Sequence, residues 1–447
     1  MAHKRLGIFL ALILLLTGLA SQRDALASSQ EDIAYAYISS DTAYLTVGEP
    51  VTFQLMVPSD VKYLAFEYNL YYRPEGVVAT RYEMIDQAQS SGRFVYEYTP
   101  TGRGVYLLEV IVSFQSHRTL TLESEPLYAY GEGDDRNPST LPGKVKAIAA
   151  LAAKQHLPTQ YDKALWLHDW LTSNADYNDT SPVYSPEGVL LRNAGVCESY
   201  ALAYRILLYE LGIESLYLTG TSRNVAHAWN LVKIDGQWVH VDVTWDDPEG
   251  GGNEGYDYFG MNDKLLSRDH EWSNSNFIPP VANTLEHYCL LVNGASPIFV
   301  EAQLSQLLSL SLKEKEQFIE YTYLGDDKEF DVNLAIQQWM EIYSHRYFIN
   351  GYQQSGSRFS GRMWLTYQNL DNYTAFINKT EFSAIMDSSL KGKTPVIRMY
   401  YVGEDESFDF ERLVSDWFAG NHIIYDVIGY QINYTSHTGE ITLEYRE

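Results

Sequence analysis

The hydrophobic period of the chain changes several times, and each change predicts an element boundary. Between about residues 32 and 130 apolar and polar side chains alternate. Val51, Phe53, Leu55 and Val57 line one strand face, and Tyr106, Leu108, Val110 and Val112 line another, with Gly and Pro turns between such runs. A small β-sandwich over 32–130 is expected. The stretch Gly131-Glu132-Gly133-Asp134-Asp135-Arg136-Asn137-Pro138 has no period and reads as a linker. After Cys197 the spacing becomes helical through Ala201, Leu202, Tyr204, Ile206, Leu207, Leu208 and Leu211, and Gly212 supplies a stop, so Cys197 stands at a helix start. Two β-rich runs follow, 227–234 and 237–245, separated by Asp235-Gly236, which favours a two-residue type I′ turn. If Ile234 pairs with Gln237, His227 falls opposite Thr244 and Asp242 opposite Trp229. His227 and Asp242 then share one face as diagonal neighbours, about 7 to 8 Å apart at the backbone. A one-residue slip would put them on opposite faces.

The last third of the chain repeats itself. A shift of 78 residues aligns 298–367 with 376–445 without a gap, at roughly nineteen identical positions, several-fold above chance. Trp339 meets Trp417, Phe330-Asp331 meets Phe408-Asp409, and Gly351-Tyr352-Gln353 meets Gly429-Tyr430-Gln431. Each copy predicts helix, strand, helix, strand, strand, with strands at 318–324 and 396–402. Asp331 and Asp409 stand where a helix N-cap is needed, and the repeated Gly fits a bulged strand. Cys289, within Tyr-Cys-Leu-Leu-Val, fits a strand core.

Composition sets the context. A chain of 447 residues, 45% hydrophobic and 14% aromatic, is long enough for about three folded domains. Its 36 tyrosines suit β domains and exposed recognition surfaces, because that side chain buries a large area and keeps a polar handle. A formal charge of −26 disfavours nucleic acids and anionic membranes and leaves room for basic partners. Lys4 and Arg5 precede the apolar run 6–16, and Ala25-Leu26-Ala27 offers a small-residue cleavage site, so residues 1–27 predict a secretory signal peptide and a secreted or surface-exposed product. An uncleaved signal anchor is the alternative. Elsewhere no stretch reaches the roughly 18 apolar residues of a membrane span, and no Cys follows the apolar run to carry a lipid. With only Cys197 and Cys289, an exported chain either forms one disulfide or keeps a reactive thiol. Zinc-ligand spacing and a calcium-loop pattern are both lacking, the acids over 246–254 read as a solvated loop, with weak attraction of a cation as the alternative, and no metal or cofactor is expected.

Cys197, His227 and Asp242 carry the candidate chemistry. A thiol attacks carbonyls only as thiolate, which needs a nearby imidazole. The positive end of a helix dipole favours that anion by a few tenths to about 1 kcal/mol, too little alone. A carboxylate beside the imidazole orients it and stabilises its protonated form. Each residue also has an ordinary structural role, since free Cys is among the most often buried side chains. What points to catalysis is the conjunction of the three.

The runs Gly195-Val196-Cys197-Glu198-Ser199-Tyr200-Ala201, His227-Ala228-Trp229-Asn230 and Val241-Asp242-Val243-Thr244-Trp245-Asp246-Asp247-Pro248 resemble the core of the transglutaminase-like superfamily, particularly its bacterial secreted members. Leu167-His168-Asp169-Trp170-Leu171 with Tyr177 resembles the helix before the nucleophile. Residues 256–259 and Asp269-His270-Glu271-Trp272 resemble the segment closing the core, so the likeness spans about 143–275. Ser199 departs from the Gly of many relatives. The resemblance implies a papain-like mechanism in which Cys197 attacks a carboxamide to give a thioester, His227 acts as base and acid, and Asp242 holds the imidazole. The Cys197 N–H would be one oxyanion donor, with Tyr177 and Tyr184 as candidates for the second. Cross-linking enzymes, peptidases, glycan-removing amidases and inactive scaffolds all use this arrangement, so the acyl acceptor stays open.

The expected fold class is therefore α+β: a papain-like transglutaminase core over 138–275, an N-terminal β-sandwich over 32–130, and a C-terminal duplicated α+β module over 285–370 and 371–447. Within the sandwich, Gly104-Val105-Tyr106-Leu107 resembles immunoglobulin-like domains. The expected function is that of a secreted cysteine enzyme acting on a protein or peptide substrate at the cell surface. The alternative is a non-catalytic surface protein that uses the same fold as a scaffold.

Overall fold

The computed structural model describes residues 33–76, 82–92, 94–115, 119–247, 255–272, 277–403, 405, 407–435 and 437–446. The signal-peptide expectation for 1–27 lies outside them. The fold is mixed α+β with several sheets, and it divides into two compact units, Met1–Asn293 and Gly294–Glu447. Among the described residues no helix is long and apolar enough to cross a membrane.

Among the described residues the first unit opens with nine strands: β1 (Tyr37–Ser40), β2 (Leu45–Thr46), β3 (Val51–Met56), β4 (Tyr63–Pro74), β5 (Glu83–Ser90), β6 (Val95–Tyr98), β7 (Gly104–Phe114), β8 (Thr119–Glu123) and β9 (Leu127–Tyr130). They form a sheet ordered β1-β3-β6 and a larger one ordered β2-β9-β7-β4-β5, with β8 on β7. Both contribute to one core. Phe53 and Tyr96 come from the small sheet, and Phe66, Leu70, Tyr106, Leu108, Val110 and Val112 from the large one. Along β7 burial alternates strictly from Tyr106 onward, which is why the period-2 pattern is so clear there.

The stretch 131–138 is not the open linker that its composition suggested. Asp134 accepts from the backbone N–H of Gly131 at 2.8 Å and pairs with Arg103 at 2.7 Å, and Asp134–Arg136 form a 3₁₀ turn. Gly and Asp signal turns, and here the turn is tied to β7 through the residue just before it. Thr140 then caps the helix Leu141–Ala152.

Helices Leu141–Ala152, Gln160–Asn174 and Cys197–Glu210 share a core with an antiparallel sheet ordered β15-β14-β13-β12-β16. Its strands are β12 (Ser215–Ser222), β13 (Val225–Ile234), β14 (Gln237–Val241), β15 (Phe259–Met261) and β16 (His270–Trp272). Two short parallel strands, β10 (Asp176–Tyr177) and β11 (Ala194–Gly195), lead to the Cys197 helix. That helix is buried on most sides, from Ser199 through Leu208, so its sequence is apolar nearly all round. Arg205, on the same helix, reaches back to form an ion pair with Glu125 beside β8, and Tyr130 in β9 donates to Glu187. Ala36, just before β1, exchanges two backbone hydrogen bonds with Ile278, at 2.8 and 2.7 Å.

Cys289 was expected in a strand. Itself buried, it starts a four-residue helix, Cys289–Val292, within the first unit, and its sulfur accepts from Asn293 Nδ2 at 3.0 Å. An apolar run that short has no period to separate helix from strand. Both cysteines are free.

The second unit holds two four-stranded sheets. The first is ordered β17-β18-β20-β19, with β17 (Ser296–Ile298), β18 (Phe318–Tyr323), β19 (Ile349–Gly356) and β20 (Ser360–Tyr367). The second is ordered β21-β22-β24-β23, with β21 (Thr374–Phe376), β22 (Val396–Tyr401), β23 (Val427–Tyr434) and β24 (Thr438–Tyr445). Element bounds in the second half stand 78 above those in the first, as 318 to 396 and 367 to 445. Each half begins with a three-residue strand that the sequence pattern missed, paired parallel to the next strand. Asp331 caps its helix by accepting Leu334 N at 3.0 Å, and Asp409 does the same for Arg412 N at 2.9 Å. The strand ladders slip by a residue just before Gly351 and Gly429, as a bulge requires.

Candidate active site

Cys197 is the first residue of its helix, after extended Val196, whose side chain caps nothing. The approach to it is fixed by close packing. Ser199 Oγ donates to Ser185 O at 2.7 Å and accepts Val189 N at 3.1 Å. Gly195 leaves room for it, since a Cβ there would lie 2.6 Å from Ser199 Cβ and Oγ. Serine at 199 therefore joins the Cys197 helix to the helix Glu187–Leu191. On the sheet side, Ala228 packs with Cys197 and Ala201, and Asn230 Nδ2 donates to Ala201 O at 3.0 Å.

The hairpin turns at Asp235-Gly236, both with positive φ, and Ile234 pairs with Gln237. The ladder ends earlier than expected. Its last pair is Asn230 with Val241, so His227 does not face Thr244, nor Trp229 Asp242. Asp242 itself stops the strand: its Oδ1 accepts the N–H groups of Thr244 and Trp245 at 3.1 and 3.2 Å, and its own N–H turns to Tyr258 O. The register nonetheless delivers the side chains. His227 Nε2 and Asp242 Oδ2 are 2.6 Å apart, and the Cys197 thiol lies within hydrogen-bond reach of the same ring.

Electrostatics follow from burial and charge in opposition. Burial would lower the pKa of His227, but the charge and hydrogen bond of Asp242, and then those of Cys197, raise it to about 10. Burial works against ionisation of Asp242 too. The charges and hydrogen bonds of His227 and His270 outweigh it and hold the carboxyl well below the usual range.

His270 did not figure among the expected site residues. Strand β16 pairs with β12, setting His270 opposite Ser222, and its Nε2 lies 3.0 Å from Asp242 Oδ2. The only signal was its place in the Asp269-His270-Glu271-Trp272 run. His227, Asp242 and His270 bring three possible ligand atoms within 4.8 Å of one another. Here both rings aim at a single carboxylate oxygen at hydrogen-bonding distance, whereas chelation needs lone pairs converging about 2 Å from a shared ion. The arrangement suits proton sharing. Trp229 stacks on His227 at 6.0 Å and meets His270 edge-on at 5.1 Å, and its Nε1 donates to His240 Nδ1.

The acids expected in a solvated loop are acceptors inside the protein. Asp246 takes His168 Nε2 at 3.2 Å and the backbone N–H of Tyr258, and Asp247 accepts from the Tyr200 hydroxyl. Residues 248–254 lie outside the described residues. His168 is buried, which would lower its pKa, but hydrogen bonds to Asp169 and Asp246 raise it to about 9. Tyr177 pairs with Gly195 across the two-strand ladder and its ring packs on the core. Burial raises the pKa of Tyr184, and the charges of Glu198 and Cys197 raise it further. Burial pushes Glu198, next in the chain to Cys197, up to about 7.

The same stretch of chain is marked by comparison with known proteins. Residues 149–243 match the model of the transglutaminase-like superfamily. This chain contains a transglutaminase-like domain. The match includes Cys197, His227 and Asp242 and stops short of His270. The crystal structure of a TGase is 16% identical, with a TM-score of 0.21, over 26% of this chain and 32% of that one. The chain thus spans about a third of that protein's length. A "Putative Cysteine Protease" from Cytophaga hutchinsonii is 16% identical, with a TM-score of 0.21, over 48% of this chain and 77% of that one. A superoxide reductase (neelaredoxin) from Ignicoccus hospitalis is 11% identical, with a TM-score of 0.18, over 22% of this chain and 82% of that one. No curated protein matches.

Proposed function

We propose that this protein is a secreted, cysteine-dependent acyl-transfer enzyme acting on protein or peptide carboxamides. The observation that carries the reading is the 2.6 Å contact of His227 with Asp242, with Cys197 in reach of the same imidazole at a helix start. Nε2 of His227 is committed to Asp242, which leaves Nδ1 to take the thiol proton. Cys197 Sγ attacks the carbonyl carbon, the C–N bond breaks, and His227 gives its proton to the departing nitrogen. Water or an amine then attacks the thioester, loses its proton to His227, and frees the sulfur. The Cys197 N–H serves the oxyanion, with Tyr184 or Tyr177 as the second donor. Residues 1–27 would direct export. An immunoglobulin-like sandwich and the duplicated C-terminal module would serve as accessory domains at the cell surface.

One observation favours a second reading, a non-catalytic scaffold: Cys197 is only 6% exposed. His227 beside it is 9% exposed, so substrate would have to enter a narrow opening. A single experiment separates these readings. Wild type and Cys197→Ala are incubated with cell-surface extract and a tagged primary amine, and products are read by mass spectrometry. Cys197-dependent amine incorporation means transferase, and new peptide termini mean peptidase. Neither product would sink the enzyme reading and leave the scaffold.

A further inference from the structure

Asp242 serves two imidazoles, and the second takes no part in the scheme above. His270 Nε2 meets Asp242 Oδ2 at 3.0 Å, the same oxygen that takes His227 Nε2 at 2.6 Å. On its other side, His270 Nδ1 lies 2.7 Å from Asp269 Oδ1. An ionised carboxylate only accepts, so a ring with one at each nitrogen carries a proton on both. Asp269 is itself held ionised by donors, the Tyr258 hydroxyl at 2.6 Å and Arg223 Nη2 at 3.5 Å, both on Oδ2. The His270 ring is buried, which leaves water no room to replace these partners.

We propose that His270 is a positioning residue: an imidazolium fixed between Asp242 and Asp269 that anchors the shared carboxylate and limits how strongly it draws a proton onto His227. That role presupposes Cys197 as the nucleophile. Two effects act together. A hydrogen bond from His270 draws off part of the Asp242 charge, and a second cation with its ring 5.4 Å from that of His227 repels the imidazolium there. Both bring the base closer to working pH, where proton transfer is most effective in either direction. The same cation adds positive field at the sulfur.

The described elements around His270 all contribute. His227 and Trp229 face it from β13, Asp242 from the end of β14, and Tyr258 from the segment before β15. Arg223, between β12 and β13, reaches it through Asp269. His240 on β14 has its pKa lowered, first by burial and last by the charge on His270, so it adds no competing cation. Burial would lower the pKa of His270 as well, and the hydrogen bonds and charges of Asp242 and Asp269 raise it instead.

The test is the rate of iodoacetamide alkylation at Cys197 from about pH 4 to about pH 10, in wild type, His270→Gln and Asp269→Asn. Folding of each is checked by circular dichroism. Wild type should show a rise well below the range of an ordinary free thiol. In His270→Gln the loss of the nearby cation should move the midpoint of this rise up by about one pH unit. The upper limb of the profile, where His227 gives up its proton, should move up as well, because Asp242 is no longer shared. In Asp269→Asn, which keeps the ring but removes the charge that holds it protonated, the shift should be smaller and in the same direction. Should His270→Gln fail to fold, Asp269→Asn decides alone. A low wild-type midpoint that neither variant moves overturns the role of His270 and leaves the nucleophile standing. A wild-type rise only in the ordinary thiol range overturns both.

Discussion

At the scale of single residues the site is a balance between burial and charge, and removing one charge should tip it. Asp242→Asn keeps the shape but leaves only Cys197 to oppose the burial of His227, so its pKa should fall from about 10 toward 6.5. We expect kcat/KM to drop by about 10³–10⁴-fold and the alkaline limb of its pH profile to move down. Stability should follow the same linkage. A His whose pKa is raised by folding stabilises fully below its unfolded value and loses that contribution as pH rises through the folded one. The stability gap between wild type and Asp242→Asn should therefore shrink from pH 6.5 to about 10, as measured by urea midpoints. The two thiols should differ just as clearly. Burial pushes Cys289 up to about 12, so at about pH 6 iodoacetamide should label Cys197 first. Equal, slow labelling of both would argue against a thiolate nucleophile.

At the scale of elements, the start of the Cys197 helix is set by how closely it meets its neighbours. Gly195→Ala would place a Cβ 2.6 Å from Ser199 and should cost about 1–3 kcal/mol. Ser199→Gly alone loses two hydrogen bonds and should also destabilise. Combined, the two should cost clearly less than their sum, because the second change removes the clash created by the first. Denaturation of all four proteins checks this, and simple additivity would count against the packing account. The same local features decide what was legible beforehand. Helical spacing after Cys197 and the Asp235-Gly236 turn are short-range signals, and they were enough to bring His227 toward Asp242. The strand end at Asp242 was not legible, because a side-chain oxygen competing for the N–H groups of Thr244 and Trp245 leaves the alternation of 237–245 intact. His270 was less legible still. Its role depends on β16 pairing with β12, nearly fifty residues earlier, where no local period reports it. Asp246 and Asp247 misled for a related reason, since acidic composition suggests solvent while His168 and Tyr200 draw them inward.

At the scale of the molecule, the first unit is held together by polar contacts that local patterning cannot announce. Arg205 and Glu125 have side chains only 8% and 9% exposed, so losing one partner strands a charge. Arg205→Ala should cost about 3–5 kcal/mol, and replacing both residues by apolar ones of similar volume much less. Because the chain forms two compact units, calorimetry should resolve two transitions, only one of which falls in temperature in Arg205→Ala. A single transition, or a drop in both, would contradict independent folding of the units.

The bridge from Ala36 to Ile278 has a consequence during synthesis. A ribosome delivers residue 36 long before residue 278, so the start of the first strand waits through some 240 further additions for its partner. Phe277 and Ile278 also pack on the core beneath that strand. The first strands to emerge are thus completed by a segment that comes out only after the catalytic candidates have been made. A nascent chain arrested before residue 277 should expose that seam to protease, and one extended past it should close.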